Sequence, residues 1–375
     1  MDDKLLGHGA IENLAIQFTS RCDLRCVYCT QGTDAVEFKL EMPVERIRHI
    51  IDFVKREHVK HVAMGFFGET LVFKDWVKYC CELLDLGVSL MVNSNFQRIL
   101  SDEEIDCLSR FSTVMISVDS ADLELQKQIC LPLDIRNVFY NTLRLSAHCL
   151  KHNRSPEVIW TGVWLDCVTF KMKDLLYMAR ACGIHHINFN VFFRFLELPA
   201  SPRGIFELEG EEFLRHMNEY YGAMNLAKQM HIKFDSSLSS LLSCLYSQVQ
   251  QAVVSKTKYK PTSPLSLVCT KNLQGTSKHY TIQAPLGSTR HCIAPWNYPV
   301  ICANGNVHPC CFSGNVVGCV KDGVTLDSVL NSQGYRELRR GLLTGENLDE
   351  CCRNCVGPPI VSPFTLQQIV GTMCK

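Results

Sequence analysis

Short apolar segments alternate with amphipathic segments through the first half of the chain. Segments of strand length bounded by polar or turn residues predict buried strands. They cover residues 11–18, 59–66, 88–92, 113–118, 158–168 and 186–193. The stretches between them carry apolar residues at helical spacing, and Ser101 stands before one of them as a predicted N-cap. Strand–helix units repeated in this order favour an α/β fold with a parallel sheet covered by helices.

The second half of the chain has a different pattern. Residues 211–230 predict one long amphipathic helix, whereas residues 231–290 show no clear periodicity. The polar, Pro-containing stretch 256–264 predicts a connector. From Cys292 onward, the cysteines are clustered a few residues apart, and we expect a domain boundary near residue 285.

Composition excludes some classes of function. The 375 residues hold 38 Lys and Arg against 38 Asp and Glu, so no general attraction to nucleic acid or an anionic membrane follows. There is no signal-peptide pattern and no apolar run of membrane-spanning length. Because many of the 21 cysteines are clustered, metal binding in a reducing cytoplasm is favoured over a disulfide scaffold. Isolated cysteines are expected to be small buried hydrophobes; these are Cys107, Cys130, Cys149 and Cys244.

Three cysteines follow the first predicted strand, at Cys22, Cys26 and Cys29. At this spacing their thiolates can converge on one metal centre. Iron–sulfur clusters are usually held by four protein ligands, and no fourth cysteine is near in sequence. One iron would then stay open for a small ligand. The alternative is zinc, which usually takes two short hooks and a closed coordination sphere.

The three-cysteine spacing, Tyr28 before the last cysteine and the preceding strand together resemble the radical SAM superfamily. The resemblance implies a [4Fe–4S] cluster on these three cysteines, with S-adenosylmethionine (SAM) bound at the open iron. It also implies a 5′-deoxyadenosyl radical that abstracts a substrate hydrogen. The implied fold is a partial (β/α)6 TIM-like barrel, open on one side, over residues 1–235, followed by a connector at 236–285.

Polar residues at the ends of the predicted strands are the candidate cofactor contacts. Gly65-Phe66-Phe67-Gly68-Glu69 resembles the family's GGE motif, with Phe67 at the first glycine; a carboxylate there holds the amino group of SAM. Asn and Asp also favour turns, and buried amides also bond neighbouring side chains, so both interpretations stay open. The resemblance and these positions predict SAM contacts at Tyr28, Gly68, Glu69, Asn93, Asn95, Ser117, Asp119, Asn188 and Asn190.

The C-terminal cysteines form a second candidate site. Cys292, a Gly-x4-Cys turn ending at Cys310, and Cys352-x2-Cys355 supply four thiolates, enough for a [4Fe–4S] cluster or for zinc. Cys311 competes with Cys310, and Cys351 with Cys352. This pattern resembles a small cysteine-rich twitch domain, the short form of SPASM, over residues 286–375. The resemblance implies one auxiliary [4Fe–4S] cluster.

The layout is similar to that of the radical SAM 2-deoxy-scyllo-inosamine dehydrogenases. Because the first strand begins near residue 11, no N-terminal recognition domain is expected, which favours a small polar substrate such as a sugar or aminocyclitol. The leading hypothesis is oxidation, in which the radical takes hydrogen, a base takes a proton and the auxiliary cluster accepts an electron. A flavodoxin or ferredoxin-type donor would supply reducing electrons, and the expected location is cytoplasmic.

Other outcomes remain open. A redox-neutral epimerase would need a thiol hydrogen donor, and Cys167 at the end of the fifth strand is the candidate, with a core cysteine as the alternative. A lyase, dehydratase, decarboxylase or peptide-modifying (RiPP) maturase would use the same cofactors. A non-enzymatic metal scaffold predicts no SAM cleavage. Arg194 and Arg203 would pair with a substrate anion or with surface carboxylates.

Overall fold

A computed structural model describes residues 3–29, 40–192, 202–254, 267–271, 278–282, 284–321, 323–355 and 358–374. Arg194 lies outside these residues. The strands in the described part are, in chain order, β1 Asn13–Ile16, β2 Arg25–Cys26, β3 His61–Met64, β4 Ser89–Ser94, β5 Thr113–Ser117, β6 Cys130–Leu131, β7 Glu157–Trp164, β8 His186–Val191, β9 Lys233–Ser236, β10 Leu267–Lys271, β11 Lys278–Ile282, β12 Thr289–Arg290, β13 Val300–Ile301, β14 Asn306–His308, β15 Gly318–Cys319 and β16 Ile360–Val361.

The helices in the same residues are α1 Val44–Glu57, α2 Trp76–Asp85, α3 Asp102–Ser109, α4 Leu123–Ile129, α5 Ile135–Lys151, α6 Met172–Ala181, α7 Gly210–Gln229, α8 Ser239–Val254, α9 Ala294–Asn297, α10 Leu326–Leu330, α11 Gln333–Thr344, α12 Glu350–Arg353 and α13 Pro363–Met373. Short 3₁₀ turns occupy Asp3–Leu6, Thr70–Val72, Asp166–Lys171 and Ile205–Glu207.

One ten-stranded sheet, in the order β15-β14-β13-β1-β3-β4-β5-β7-β8-β9, organises the described residues. Neighbouring strands are parallel from β13 to β9, and β14 and β15 are antiparallel additions at one edge. The sheet does not close on itself within the described part of the chain. The predicted α/β fold, with helices outside a parallel sheet that stays open on one side, is therefore confirmed.

The two faces of the sheet differ in polarity. On β4, β5 and β8, buried residues alternate with partly exposed ones, because the helices cover only one face. The register places Ser117 beside Thr161 and Thr161 beside Asn188, so the three side chains share the uncovered face. Because active sites of parallel sheets form at the carboxyl ends of the strands, this face and that edge define the candidate site.

Several local predictions are confirmed. Ser101 caps α3 in a capping box: its hydroxyl accepts from Glu104 N at 3.2 Å, and Glu104 accepts from Ser101 N at 2.7 Å. The glycine turn before Cys310 joins the antiparallel strands β13 and β14, as the hairpin pattern predicted. The fifth predicted strand ends earlier than expected, because β7 gives way to a 3₁₀ turn after Trp164. The predicted domain limits stay predictions.

Apart from the main core that packs on the sheet, residues near both ends of the described chain meet in a separate apolar cluster. It contains Leu6, Ala284, Trp296, Leu342, Leu343, Leu348, Leu366 and Val370. Trp296 Nε1 donates to Leu5 O at 2.8 Å, and the fully buried Arg339 donates to Leu6 O at 2.9 Å. The N-terminal turn is thus fixed to the C-terminal cysteine segment. Among the described residues, no helix combines the length and hydropathy required to span a membrane.

Candidate functional site

The segment carrying Cys22, Cys26 and Cys29 leaves the carboxyl end of β1 and is anchored at two points. Glu69 N donates to Arg21 O at 2.7 Å, which ties the segment to the turn after β3. The two-residue strand β2 pairs antiparallel with β6, which places Cys26 directly opposite Cys130. Cys29 N donates to Cys26 O at 3.0 Å, closing a turn that presents both cysteines from one loop.

Cys22 lies against the end of β4. Its sulfur accepts from Leu24 N at 3.4 Å, and Asn95 Nδ2 lies 4.0 Å away. The same Asn95 amide donates to Asp23 Oδ1 at 2.7 Å, so the cysteine loop is held against a predicted SAM contact. Burial raises the pKa of the Cys22 thiol to about 12, and the nearby Glu69 and Asp23 carboxylates act in the same direction. A metal must displace this proton to bind the sulfur.

The turn Gly65-Phe66-Phe67-Gly68-Glu69 depends on its two glycines. Gly65 has φ +86° and Gly68 has φ +72°, conformations that side chains rarely adopt. A Cβ on Gly65 would lie 2.0 Å from Asn93 O, and one on Gly68 would lie 2.4 Å from Thr19 O. Gly68 therefore allows the close approach of this turn to the cysteine loop, whatever else it contacts.

Glu69 is buried, and its two carboxyl oxygens accept hydrogen bonds from two different segments of the chain. Its Oε1 accepts from Leu71 N at 3.0 Å and its Oε2 from Asn95 N at 2.7 Å. Desolvation raises its pKa to about 7, although both amide hydrogen bonds favour the charged form. A buried carboxyl group that titrates near neutral pH at a strand edge is typical of a functional site.

Asp119 is the centre of a hydrogen-bond network after β5. It is 2% exposed, and its Oδ1 accepts from Val163 N at 2.7 Å. Its Oδ2 accepts from Tyr28 OH at 3.1 Å and from Gln126 Nε2 at 3.4 Å. Cys130 Sγ donates to the same oxygen at 3.4 Å. Burial raises the pKa of Asp119, and the network links two predicted SAM contacts, Tyr28 and Asp119, to the cysteine loop.

The other predicted contacts form a neutral polar row on the uncovered face. Ser117 Oγ donates to Asn93 Oδ1 at 3.4 Å. Asn190 Nδ2 donates to Thr161 Oγ1 at 3.0 Å, and Asn188 Nδ2 donates to Asn190 Oδ1 at 3.3 Å. Asn188 and Asn190 thus bond to each other and to Thr161, and the exposed Asn190 leaves the row accessible.

Cys167 lies at the start of the 3₁₀ turn after β7 and is partly buried. Burial and the adjacent Asp166 raise the pKa of its thiol to about 11. Arg203 Nε donates to Asp166 Oδ2 at 3.0 Å, and its Nη2 donates to Glu212 Oε1 at 2.6 Å. Arg203 is therefore paired with carboxylates of this chain, the second of its two predicted roles.

The C-terminal cysteines surround one small depression. Its wall contains Cys292, Cys310, Cys351, Cys352 and Cys355, whereas Cys311 does not line it. Burial raises the pKa of Cys292 to about 12 and raises that of Cys310. The structure thus brings together the four predicted auxiliary ligands, and Cys351 remains beside them as a fifth thiol.

Arg290 is buried beside these thiols. It is 2% exposed, and its guanidinium donates to Cys352 O at 3.2 Å and to Arg353 O at 2.8 Å. The sulfurs of Cys292, Cys352 and Cys355 are near enough to favour its positive charge, while burial lowers its pKa. A buried guanidinium beside several thiols fits an anionic thiolate-bound centre.

The donor sets fit the implied clusters. Within the described ranges, no three His, Cys, Asp or Glu side chains already converge as ligands of a single metal ion. The fit therefore rests on the thiol donors, on their position at the strand ends and on the Arg290 charge. Soft thiolates suit iron–sulfur clusters, and three on one loop leave a coordination position open.

Sequence reasoning missed Cys130 and Arg290. Cys130 is buried, as expected of an isolated cysteine, but it also lies opposite Cys26 and bonds to Asp119, which was not expected. Its contact with Tyr28 joins residues 102 positions apart, so no local pattern could reveal it. Arg290 stands two residues before Cys292, a spacing that carries only a weak signal.

Two family models match the segments of the chain that carry the two candidate sites. Residues 16–151 match the radical SAM superfamily, and residues 292–356 match the SPASM iron–sulfur cluster-binding domain. A search of curated proteins found no significant match. The solved structure of Streptococcus suis SuiB bound to precursor peptide SuiA superposes with TM-score 0.59 at 15% identity, covering 89% of this chain and 68% of that chain.

Two further structures are similar. Native anSMEcpe with bound AdoMet has TM-score 0.53 and 15% identity, covering 92% of this chain and 86% of that chain. BtrN in complex with AdoMet and 2-DOIA covers 92% of this chain and 93% of that chain at 10% identity, but its TM-score of 0.41 is too low to support an argument. At these identities the likeness shows the fold.

The two matched domains imply a SAM-binding [4Fe–4S] cluster, bound SAM and an auxiliary cluster. The cysteine segment after β1 lies within the first match, and Cys292, Cys310, Cys352 and Cys355 lie within the second. The chain therefore contains a radical SAM domain followed by a C-terminal SPASM domain.

Proposed function

We propose that this chain is a radical SAM oxidoreductase of a small polar metabolite. Cys22, Cys26 and Cys29 hold the SAM-binding cluster, and the C-terminal cysteines hold an auxiliary cluster that accepts an electron. When bound, the first cluster and SAM supply a 5′-deoxyadenosyl radical for hydrogen abstraction. The observation that carries the proposal is the convergence of the cysteine loop, Glu69 and Asp119 on one edge of the sheet.

The chain's own residues bind and orient SAM. Glu69 presents a carboxyl group beside the cysteine loop, suited to the ammonium of SAM, and Asn95 fixes that group through its backbone N–H. Asp119 holds the cysteine loop from the other side by accepting a hydrogen bond from Tyr28, which lies between Cys26 and Cys29. Gly68 provides the close approach between the turn and the loop.

The neutral polar row supports a hydroxyl-rich substrate that carries no anionic group. Thr161, Asn188 and Asn190 offer hydroxyl and amide groups on the uncovered face, which match alcohols and amides. Arg203, which lies beside the turn after β7, is paired with Asp166 and Glu212, so its charge is already balanced within this chain. A sugar or aminocyclitol satisfies these groups better than a phosphate or a carboxylate does.

A peptide-modifying activity is the second candidate. Two similar structures are described as peptide complexes, SuiB with precursor peptide SuiA and anSMEcpe with the Cp18Cys peptide. Epimerisation is a third outcome, for which the raised pKa of Cys167 keeps a hydrogen-bearing thiol at neutral pH. Oxidation consumes one SAM per product, whereas epimerisation in D₂O places one solvent deuterium on carbon.

The test is SAM cleavage by the full-length protein after anaerobic reconstitution and reduction. We expect 5′-deoxyadenosine from the wild type and none from the Cys22/Cys26/Cys29→Ala variant. Cys182→Ala, which removes a buried thiol at the opposite edge of the sheet, should retain the wild-type rate. Absence of 5′-deoxyadenosine from a wild type that holds its iron would refute the enzyme and favour a scaffold.

A further inference from the structure

Cys130 lies directly opposite the predicted cluster ligand Cys26. The two residues are partners in the β2–β6 ladder, and Val27 N donates to Ile129 O at 2.9 Å to hold the register. Directly opposite residues of an antiparallel pair lie on the same face with their Cβ atoms about 4.5–5.5 Å apart, and Cys130 is 2% exposed. A fourth cysteine therefore reaches the site in space, although none is near in sequence.

Cys130 belongs to the buried core, but its sulfur also contacts polar groups. Its sulfur lies 3.4 Å from Asp119 Oδ2 and 3.6 Å from Tyr28 OH. Asp119 also accepts from Val163 N at 2.7 Å and from Gln126, so it keeps other donors if the Cys130 thiol turns towards Cys26. The sulfur is thus fixed between the end of β5 and the cysteine loop.

We propose that Cys130 is a positioning residue for the SAM-binding cluster. Its S–H group donates to the Cys26 sulfur when that sulfur ligates iron, fixing the loop and withdrawing charge from the ligand. Hydrogen bonds to cluster sulfurs shift the reduction potential, and those that stabilise negative charge raise it. This inference rests on the proposed function, because it requires a cluster on Cys22, Cys26 and Cys29.

The test is an anaerobic redox titration of the full-length reconstituted protein with SAM, following the EPR signal of the reduced SAM-binding cluster. Three variants are compared with the wild type. Cys130→Ala removes the donor, and Cys130→Ser keeps a hydroxyl donor. Cys182→Ala removes a thiol that is equally buried, at 2% exposure, before β8 at the opposite edge of the sheet.

We expect a lower midpoint potential for Cys130→Ala, an intermediate value for Cys130→Ser and the wild-type value for Cys182→Ala, with equal iron content in all four proteins. An unchanged potential in Cys130→Ala with its cluster intact would overturn the inference alone. So would Mössbauer spectra, recorded without SAM, that show an iron losing a thiolate in Cys130→Ala, because Cys130 would then be a ligand. A wild type without this cluster would instead remove the proposed function.

Discussion

Replacing Glu69 by glutamine tests whether this buried carboxyl group joins the turn after β3 to the end of β4. Each of its two oxygens accepts a separate backbone amide, Leu71 N at 3.0 Å and Asn95 N at 2.7 Å. Glutamine has one oxygen, so one amide would face an NH₂ group. Leaving a buried donor unsatisfied costs about 1–3 kcal/mol. We expect Glu69→Gln to lose this much unfolding free energy at pH 5.5, where the protonated wild-type group still offers both oxygens.

The raised pKa of Glu69 makes the unfolding free energy fall with rising pH, whereas an ordinary ion-paired carboxylate makes it rise. The folded-state pKa of Glu69 is raised from 4.5 to about 7 by burial, so the folded protein holds a proton that the unfolded chain releases. Its stabilising contribution is complete below the unfolded pKa and is lost as the pH rises through 7. Unfolding free energy falls by about 1.4 kcal/mol per pH unit in this window, or about 2 kcal/mol from pH 5.5 to 7.

Urea unfolding of the metal-free protein at pH 5.5, 7 and 8, followed by tryptophan fluorescence, measures both effects. Glu211→Gln, which removes an exposed carboxylate in the first turn of α7, is the control for general charge effects. The difference between wild type and Glu69→Gln should shrink with rising pH, whereas the difference between wild type and Glu211→Gln should stay constant. A wild-type to Glu69→Gln gap that is constant or widens with pH would refute the reasoning.

Three further predictions follow from single residues. Gly65→Ala should lower the melting temperature more than Gly87→Ala. Both glycines have positive φ, a conformation that costs other residues about 1–3 kcal/mol. Only at Gly65 would the new Cβ also clash, because it would lie 2.0 Å from Asn93 O. Equal losses would contradict this. Arg290→Met should lose about four irons per chain on reconstitution, and full iron content would show that Arg290 is not needed. SAM affinity, measured by equilibrium dialysis, should fall on the order of tenfold per pH unit below 7 as Glu69 protonates; a flat profile would exclude Glu69 from SAM binding.

Much of the sheet could be predicted because its signals are local. β4 and β5 have one covered face and one open face, so buried and partly exposed residues alternate within five or six positions. β1 and β3 are instead short, mostly buried apolar runs. The capping box at Ser101 is equally local. β9 was missed, because it is only four residues long and only two of them are buried.

The candidate site was predictable where it lies on one segment and not where it depends on register. The three N-terminal cysteines directly follow the first predicted strand, and the glycine before Cys310 lies in the turn that leads to that cysteine, so a local pattern reveals both. Cys130 reaches Cys26 only through the β2–β6 ladder, which no sequence period encodes. Asp119 could be proposed as a polar strand end, but its role as the acceptor of Tyr28 OH depends on tertiary contact.

Iron and sulfide content with Mössbauer spectra, after anaerobic reconstitution, tests the central claim of two clusters most directly. The wild type should hold about eight irons per chain, and Cys22/Cys26/Cys29→Ala about four, because the two sites are separate. Cys292/Cys310/Cys352/Cys355→Ala should also hold about four, on the other site. About four irons in the wild type falling to none in the N-terminal variant would contradict the account. The C-terminal cysteines would then hold zinc or no metal, and the oxidation would lose its electron acceptor.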